Sequence, residues 1–187
     1  MNTTHENRTE GRDQYRDLLF SVRRSARYHQ HRVRFFDQLG KGISVVTMVS
    51  GIGTVTSFIS SVAGPWWTGG CAAAVAFFSA VDLVCGFSGK ARLHTGLYRQ
   101  WIDLEKRMIC EGPSLSERQQ AGLMTERLSI EKDEPPVLSV LDVICHNELV
   151  RAMECGRDEL VHVAWWQRMF ADLVDLHPHG LRKASDI

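Results

Sequence analysis

Apolar side chains recur at helical spacing through most of this chain, and nowhere do they alternate as in a strand. Tyr15, Leu18, Leu19, Val22, Ala26, Val33 and Phe36 form one stripe and predict a helix from Asp13 to Leu39. Two apolar spans follow, Ile43–Ala63 and about Cys71–Gly89. Leu93, Leu97, Trp101, Leu104 and Met108 then continue the second span as a helix over Lys90–Cys110. Ser114 and Glu117 have the S-x-x-E spacing of a capping box, which starts a helix running to about Glu131. Val137, Val140, Leu141, Ile144, Leu149 and Met153 pattern a helix over Val137–Cys155, with Gly156 as its C-terminal cap. Leu160, Val163, Trp166, Phe170 and Leu173 share a face of a last helix, Arg157–Leu176, stopped by His177-Pro178-His179-Gly180. The expected fold is all-α, with residues 1–12 disordered.

Charge divides the chain into segments. The totals cancel, with 22 Lys and Arg against 22 Asp and Glu, which weighs against a nucleic-acid binder acting through bulk positive charge. Residues 13–41 form a basic amphipathic helix, residues 42–89 hold Asp82 as their one ionisable carboxylate, and residues 90–187 are net acidic. No side chain from Gly42 to Val81 is charged. A surface helix of a soluble domain shows water a polar face, and this stretch has none. Ile43–Ala63 is long enough, at about 1.5 Å per residue, to cross the roughly 30 Å of a bilayer's hydrocarbon layer. Between the spans, Gly64-Pro65 and Gly69-Gly70 break the helix and Trp66-Trp67 suit a membrane interface. These features predict a transmembrane hairpin. A hairpin buried in a soluble bundle is the alternative, since both spans are rich in Gly, Ser, Thr and Ala.

Arg23, Arg24, Arg27, Arg32, Arg34 and Lys41 precede the hairpin, Lys90, Arg92 and Arg99 follow it, and its connecting loop has no basic residue. The positive-inside rule puts both termini in the cytoplasm, with residues 90–187 as a cytoplasmic helical region. The basic, aromatic end of the first helix is expected to lie along the bilayer, arginines near lipid phosphates. Five cysteines without a CxxC or Cys/His spacing argue against a disulfide framework or a zinc site.

Within the first span Thr47, Ser50, Thr54, Ser57 and Ser61 fall on one narrow arc. Such a stripe serves either as a packing seam between helices or as the wetted lining of an oligomeric pore. Gly53, Ser57 and Ser61 also have small-xxx-small spacing. Asp82 stands well inside the second span, on a small polar face with Ser79, Gly86 and Gly89. A carboxylate there costs a few kcal/mol unless it faces protein or water, or is protonated. Its role is an ion-attracting or gating contact, or a helix-pairing hydrogen bond. One hairpin encloses no channel, so any pore requires several copies.

The run Ala26-Arg27-Tyr28-His29-Gln30-His31-Arg32, then Phe35-Phe36, two closely spaced spans, Ala80-Val81-Asp82-Leu83-Val84 and Ala91-Arg92-Leu93-His94-Thr95-Gly96-Leu97-Tyr98 resembles the SLATT domain. The resemblance covers about residues 15–110. It marks Arg27, Tyr28, His29, Arg32, Arg92 and His94 as family-motif positions near the membrane boundary. It implies a two-transmembrane protein of the bacterial inner membrane, acting as a pore-forming effector in phage defence or inter-element conflict. Expected partners are membrane lipid, further copies of the chain and a signalling or sensor protein. The alternative is a membrane-anchored interaction module without a pore, with Trp165, Trp166 and Phe170 as contacts.

Catalysis finds little support: GxGxxG, P-loop, GxSxG and HExxH motifs are all missing from the sequence. Asp142 and His146 stand four apart, a spacing that far more often serves a helix surface or a core hydrogen bond than chemistry. His29 and His31 point to different faces of a helix, so joint metal binding is not expected. No catalytic residue, metal or cofactor is predicted.

Overall fold

The computed structural model describes residues 3–60, 64–153 and 157–175. All regular structure among them is helical, with no strand, as the periodicity predicts. The helices are α1 (Thr3–Ser60), α2 (Pro65–Cys85), α3 (Phe87–Glu111), α4 (Glu117–Glu131), α5 (Ser139–Ala152) and α6 (Trp165–Phe170), with a 3-10 turn at Arg157–Glu159. Two helical stretches are long and apolar enough to cross a membrane.

Several boundaries differ from the expected ones. α1 is one helix of 58 residues; the expected start at Asp13 and the expected gap before the first span are both absent. No proline interrupts residues 3–60, so nothing removes a backbone donor along that length. Pro65 opens α2 at its first turn, where the missing N–H is not needed, so both tryptophans are helical. The second span does not run on into α3. Gly86 stops it at φ 58°, a left-handed conformation that glycine adopts without a Cβ clash, and its N–H donates to Asp82 O at 2.9 Å.

α4 begins two residues later than the S-x-x-E motif suggests. Ser116 is the cap, its side chain accepting from the Gln119 N–H, and Gln119 reaches back to the Ser116 N–H at 3.0 Å. This choice leaves Leu115 free to pack against the core. The last expected helix, over Arg157–Leu176, is broken. Asn147, 4 % exposed, donates through Nδ2 to Val161 O at 2.6 Å and accepts from the Val161 N–H at 2.8 Å, holding the segment before α6 out of helix. Two hydrogen bonds to one buried amide, with Val163 packed in the core, outweigh a helical pattern that no cap supports. Ser61, Cys155, Gly156 and the stop at His177-Pro178-His179-Gly180 lie outside the described residues.

The chain forms two compact units. One comprises Met1–His31 and His94–Ile187, the other Arg32–Leu93. In the first, α1 and α3 run antiparallel, and Leu18, Val22 and Ala26 meet Leu97, Trp101, Leu104 and Met108, with Leu123 and Ile130 of α4 closing the core. The Tyr15 hydroxyl donates to Met108 O at 2.9 Å. A second cluster joins Tyr28 to Val140, Leu141 and Cys145 of α5, with Val163 and Ala171. The apolar stripe of residues 13–31 is therefore spent on protein rather than on lipid. Its arginines also meet carboxylates: Arg23 lies 2.7 Å from Glu105, Arg24 3.3 Å from Asp142 and Arg27 3.9 Å from Glu148.

In the other unit α1 and α2 form the hairpin. Phe36, Ile43 and Phe87 make its small core, flanked by Leu39, Phe78, Val81 and Cys85. The Arg32 guanidinium stacks over the Phe36 ring at 4.4 Å, a cation–π contact.

Candidate functional site

The hairpin presents two kinds of surface. On α1, Thr47, Ser50 and Thr54 are half-buried and Ser57 is buried, while Val45, Met48, Val49, Ile52, Val55 and Phe58 are exposed. The described hydroxyl positions therefore lie on the covered side of α1, with the large apolar side chains outward. A Cβ added to Gly53 would sit 3.2 Å from Cys71 Sγ, so the two helices approach closely there. The Thr54 hydroxyl donates to Ser50 O at 2.9 Å within its own helix. This geometry is that of a packing seam built from small residues. On α2, Thr68, Cys71, Ala74, Val75, Phe78, Val81 and Cys85 are the half-buried positions, again at helical spacing.

Asp82 sits beside that seam rather than in it. It is exposed, as is Ser79 on the same face of α2; Gly86 breaks the helix and Gly89 belongs to α3, so the expected face does not continue past Cys85. Asp82 stands one turn before the end of α2 and lines a cavity of about 330 Å³ with Asp37, Lys41, Ser44 and Ser88. Lys41 Nζ pairs with Asp37 at 2.6 Å in the same region. The outer neighbours of Asp82 are Leu83 and Val84, 85 % and 84 % exposed, and Trp66 at the other end of α2 is 93 % exposed. A single copy thus shows its surroundings a carboxylate beside bare leucine, valine and tryptophan.

The motif positions Tyr28, His29 and His94 fall in the other unit. His29 is fully buried and His94 is 4 % exposed, so both imidazoles face protein. Their Nδ1 atoms are 2.9 Å apart. His29 Nε2–H donates to the Glu134 carboxylate at 2.7 Å, and the Trp101 indole N–H donates to the same Oε1 at 2.6 Å. The Tyr28 ring stands edge-on to His29, and its hydroxyl accepts from the Leu138 N–H at 3.0 Å. Tyr15 against Met108 and His29 against His94 belong to one antiparallel register of α1 and α3, and that register brings the histidines together. His31 points elsewhere, 3.1 Å from Glu148. Arg92 is exposed.

Glu134 is the residue that pattern reading missed. It follows α4 in the connection that holds Pro135-Pro136, and nothing local marks it. Two imidazole nitrogens binding one metal ion would stand about 3.3 Å apart. Among the described residues no group of three or more His, Cys, Asp or Glu could hold an ion.

Asp142 and His146 do not act as a pair. Asp142 faces Arg24, while His146 Nε2 donates to Glu159 O at 3.1 Å. Burial pushes the Asp142 carboxyl above its ordinary range, with Arg24 and His146 opposing. A raised carboxyl contributes most below the ordinary aspartate value of 3.8, and the contribution is lost as pH rises through the raised value. Asp142→Asn is therefore expected to raise the melting temperature at neutral pH, with the gap closing as the pH falls toward 3.8; thermal scans across pH check it. Cys145 is fully buried, and burial pushes its thiol up to about 12, which makes it inert to alkylation. No protein-family model, curated protein or solved structure matches the chain.

Proposed function

We propose that this chain is an oligomeric effector of the bacterial inner membrane that permeabilises or depolarises it, in phage defence or inter-element conflict. One observation carries the reading: Ser79 and Asp82 form a polar, uncovered face of α2 on a hairpin whose exposed surface also carries Val45, Met48, Val49, Ile52, Phe77, Leu83 and Val84. In lipid, a carboxylate so placed costs a few kcal/mol unless protein or water meets it. A second copy packed against this face supplies both, and a ring of copies surrounds water with aspartates. Both termini then lie in the cytoplasm, by the basic residues flanking the hairpin. The resemblance of residues 15–110 to the SLATT domain adds the role in conflict.

Fractionation tests the first step. The chain is expected to stay with the membrane pellet through carbonate extraction, and release into the supernatant overturns the membrane reading. Induced expression with a potential-sensitive dye tests the second step. Depolarisation is expected, and a carbonate-resistant chain that leaves the potential intact under every trigger overturns the pore.

A membrane-anchored interaction module is the second reading. It is favoured by α6 and its flank, where Trp165, Trp166, Met169, Phe170 and Leu173 are all exposed. Cross-linking that captures a stable heteropartner and no homo-oligomer supports it over the pore.

A further inference from the structure

The connection between α4 and α5 carries no regular structure, yet its anchorage is specific. Glu134 holds it to His29 on α1 and Trp101 on α3, and the Leu138 N–H holds it to the Tyr28 hydroxyl. His29 is the hinge of this arrangement. Its Nε2–H is committed to Glu134, so Nδ1 alone remains to meet His94.

Two imidazole nitrogens at 2.9 Å require one proton between them. With none, two lone pairs face each other. With two, the hydrogens come within about 1 Å of each other, because each N–H reaches about 1 Å toward its neighbour. One proton fits in three ways: His94, neutral or charged, donates to a neutral His29, or a charged His29 donates to a neutral His94. The closed pair therefore holds at most three ring protons, against four in two imidazolium rings free in acid. The titratable groups around it are Tyr28 on α1, whose ring faces both histidines, and Glu134 on the connection. Behind Glu134 stands Asp142 on α5, with Arg24 of α1 beside it.

We propose that the His29–His94 contact is an acid-sensitive clasp between α1 and α3, closed by a single shared proton and opened by a second, which parts the two helices, makes Glu134 give up one of its two donors and so loosens the α4–α5 connection. The open form binds one more proton than the closed form, so acid favours opening. Nothing in the clasp depends on the hairpin conducting ions.

Hydrogen exchange on the full chain, followed from about pH 7.5 to about pH 5, tests the clasp. Protection of residues 132–138, corrected for intrinsic exchange, is expected to fall as the pH falls, approaching about tenfold per pH unit, the slope of one proton. His94→Asn keeps an acceptor for His29 but takes no second proton, so its protection should stay flat with pH. Flat protection in the unsubstituted chain, or the same fall in H94N, overturns the proposal. Nitrogen-15 imidazole spectra of the unsubstituted chain decide the matter even where H94N misfolds. At neutral pH they should show one proton shared by the two Nδ1 atoms, and two unprotonated Nδ1 atoms overturn the clasp.

Discussion

Trp101→Ala will destabilise the chain by about 3–5 kcal/mol, the range for removing a buried tryptophan. Trp101 is fully buried, and it packs in the core made by α1, α3 and α4. Its indole N–H also donates to Glu134 at 2.6 Å, so truncation leaves both a cavity and a carboxylate oxygen without one of its donors. Trp101→Phe separates the two losses. It keeps most of the ring volume and removes the donor, for about 1–3 kcal/mol. Thermal unfolding of the purified chain, read against the unsubstituted protein, gives both values. Equal losses for the two variants would mean that the hydrogen bond carries the whole effect.

Asp82→Leu will leave the hairpin inserted and reduce depolarisation by about tenfold or more, the scale on which a charge-lined site raises local ion concentration. The substitution removes an exposed carboxylate from a face where leucine and valine are already exposed, so partition into lipid improves. Asp82→Asn keeps the shape and a hydrogen-bonding group without the charge, and it should lie between leucine and aspartate in conduction. Dye measurements matched to carbonate-resistant protein check this order. If both variants insert but D82L alone fails to cross-link to itself, Asp82 pairs helices and does not attract ions.

Helix positions were legible because each depends on a local rule. The apolar spacing of Leu97, Trp101, Leu104 and Met108 is a helix face in any context, and those residues form the core. The ends were less legible. Ser114 and Ser116 both precede a residue that completes a capping box, and only the packing of Leu115 chooses between them. The break before α6 depends on Asn147, fourteen residues upstream, which no window over the segment contains. The buried histidine pair lay further out of reach. His29 and His94 were singled out as motif positions, but their meeting follows from the register of α1 against α3, and Glu134 arrives from a third element. The hydroxyl stripe was legible as a stripe, and its orientation required the neighbouring helix.

The side chain of Thr54 has a further consequence. Its hydroxyl is satisfied by the Ser50 carbonyl of its own helix, and Ser44 likewise donates to Gly40 O at 2.9 Å. Neither hydroxyl rivets one arm of the hairpin to the other. Around Gly53 the arms meet in close contact, so sliding or turning one past the other exchanges van der Waals neighbours without breaking these two bonds. A seam of this kind behaves as a bearing surface, and it leaves the helices free to find a new arrangement when further copies gather beside them.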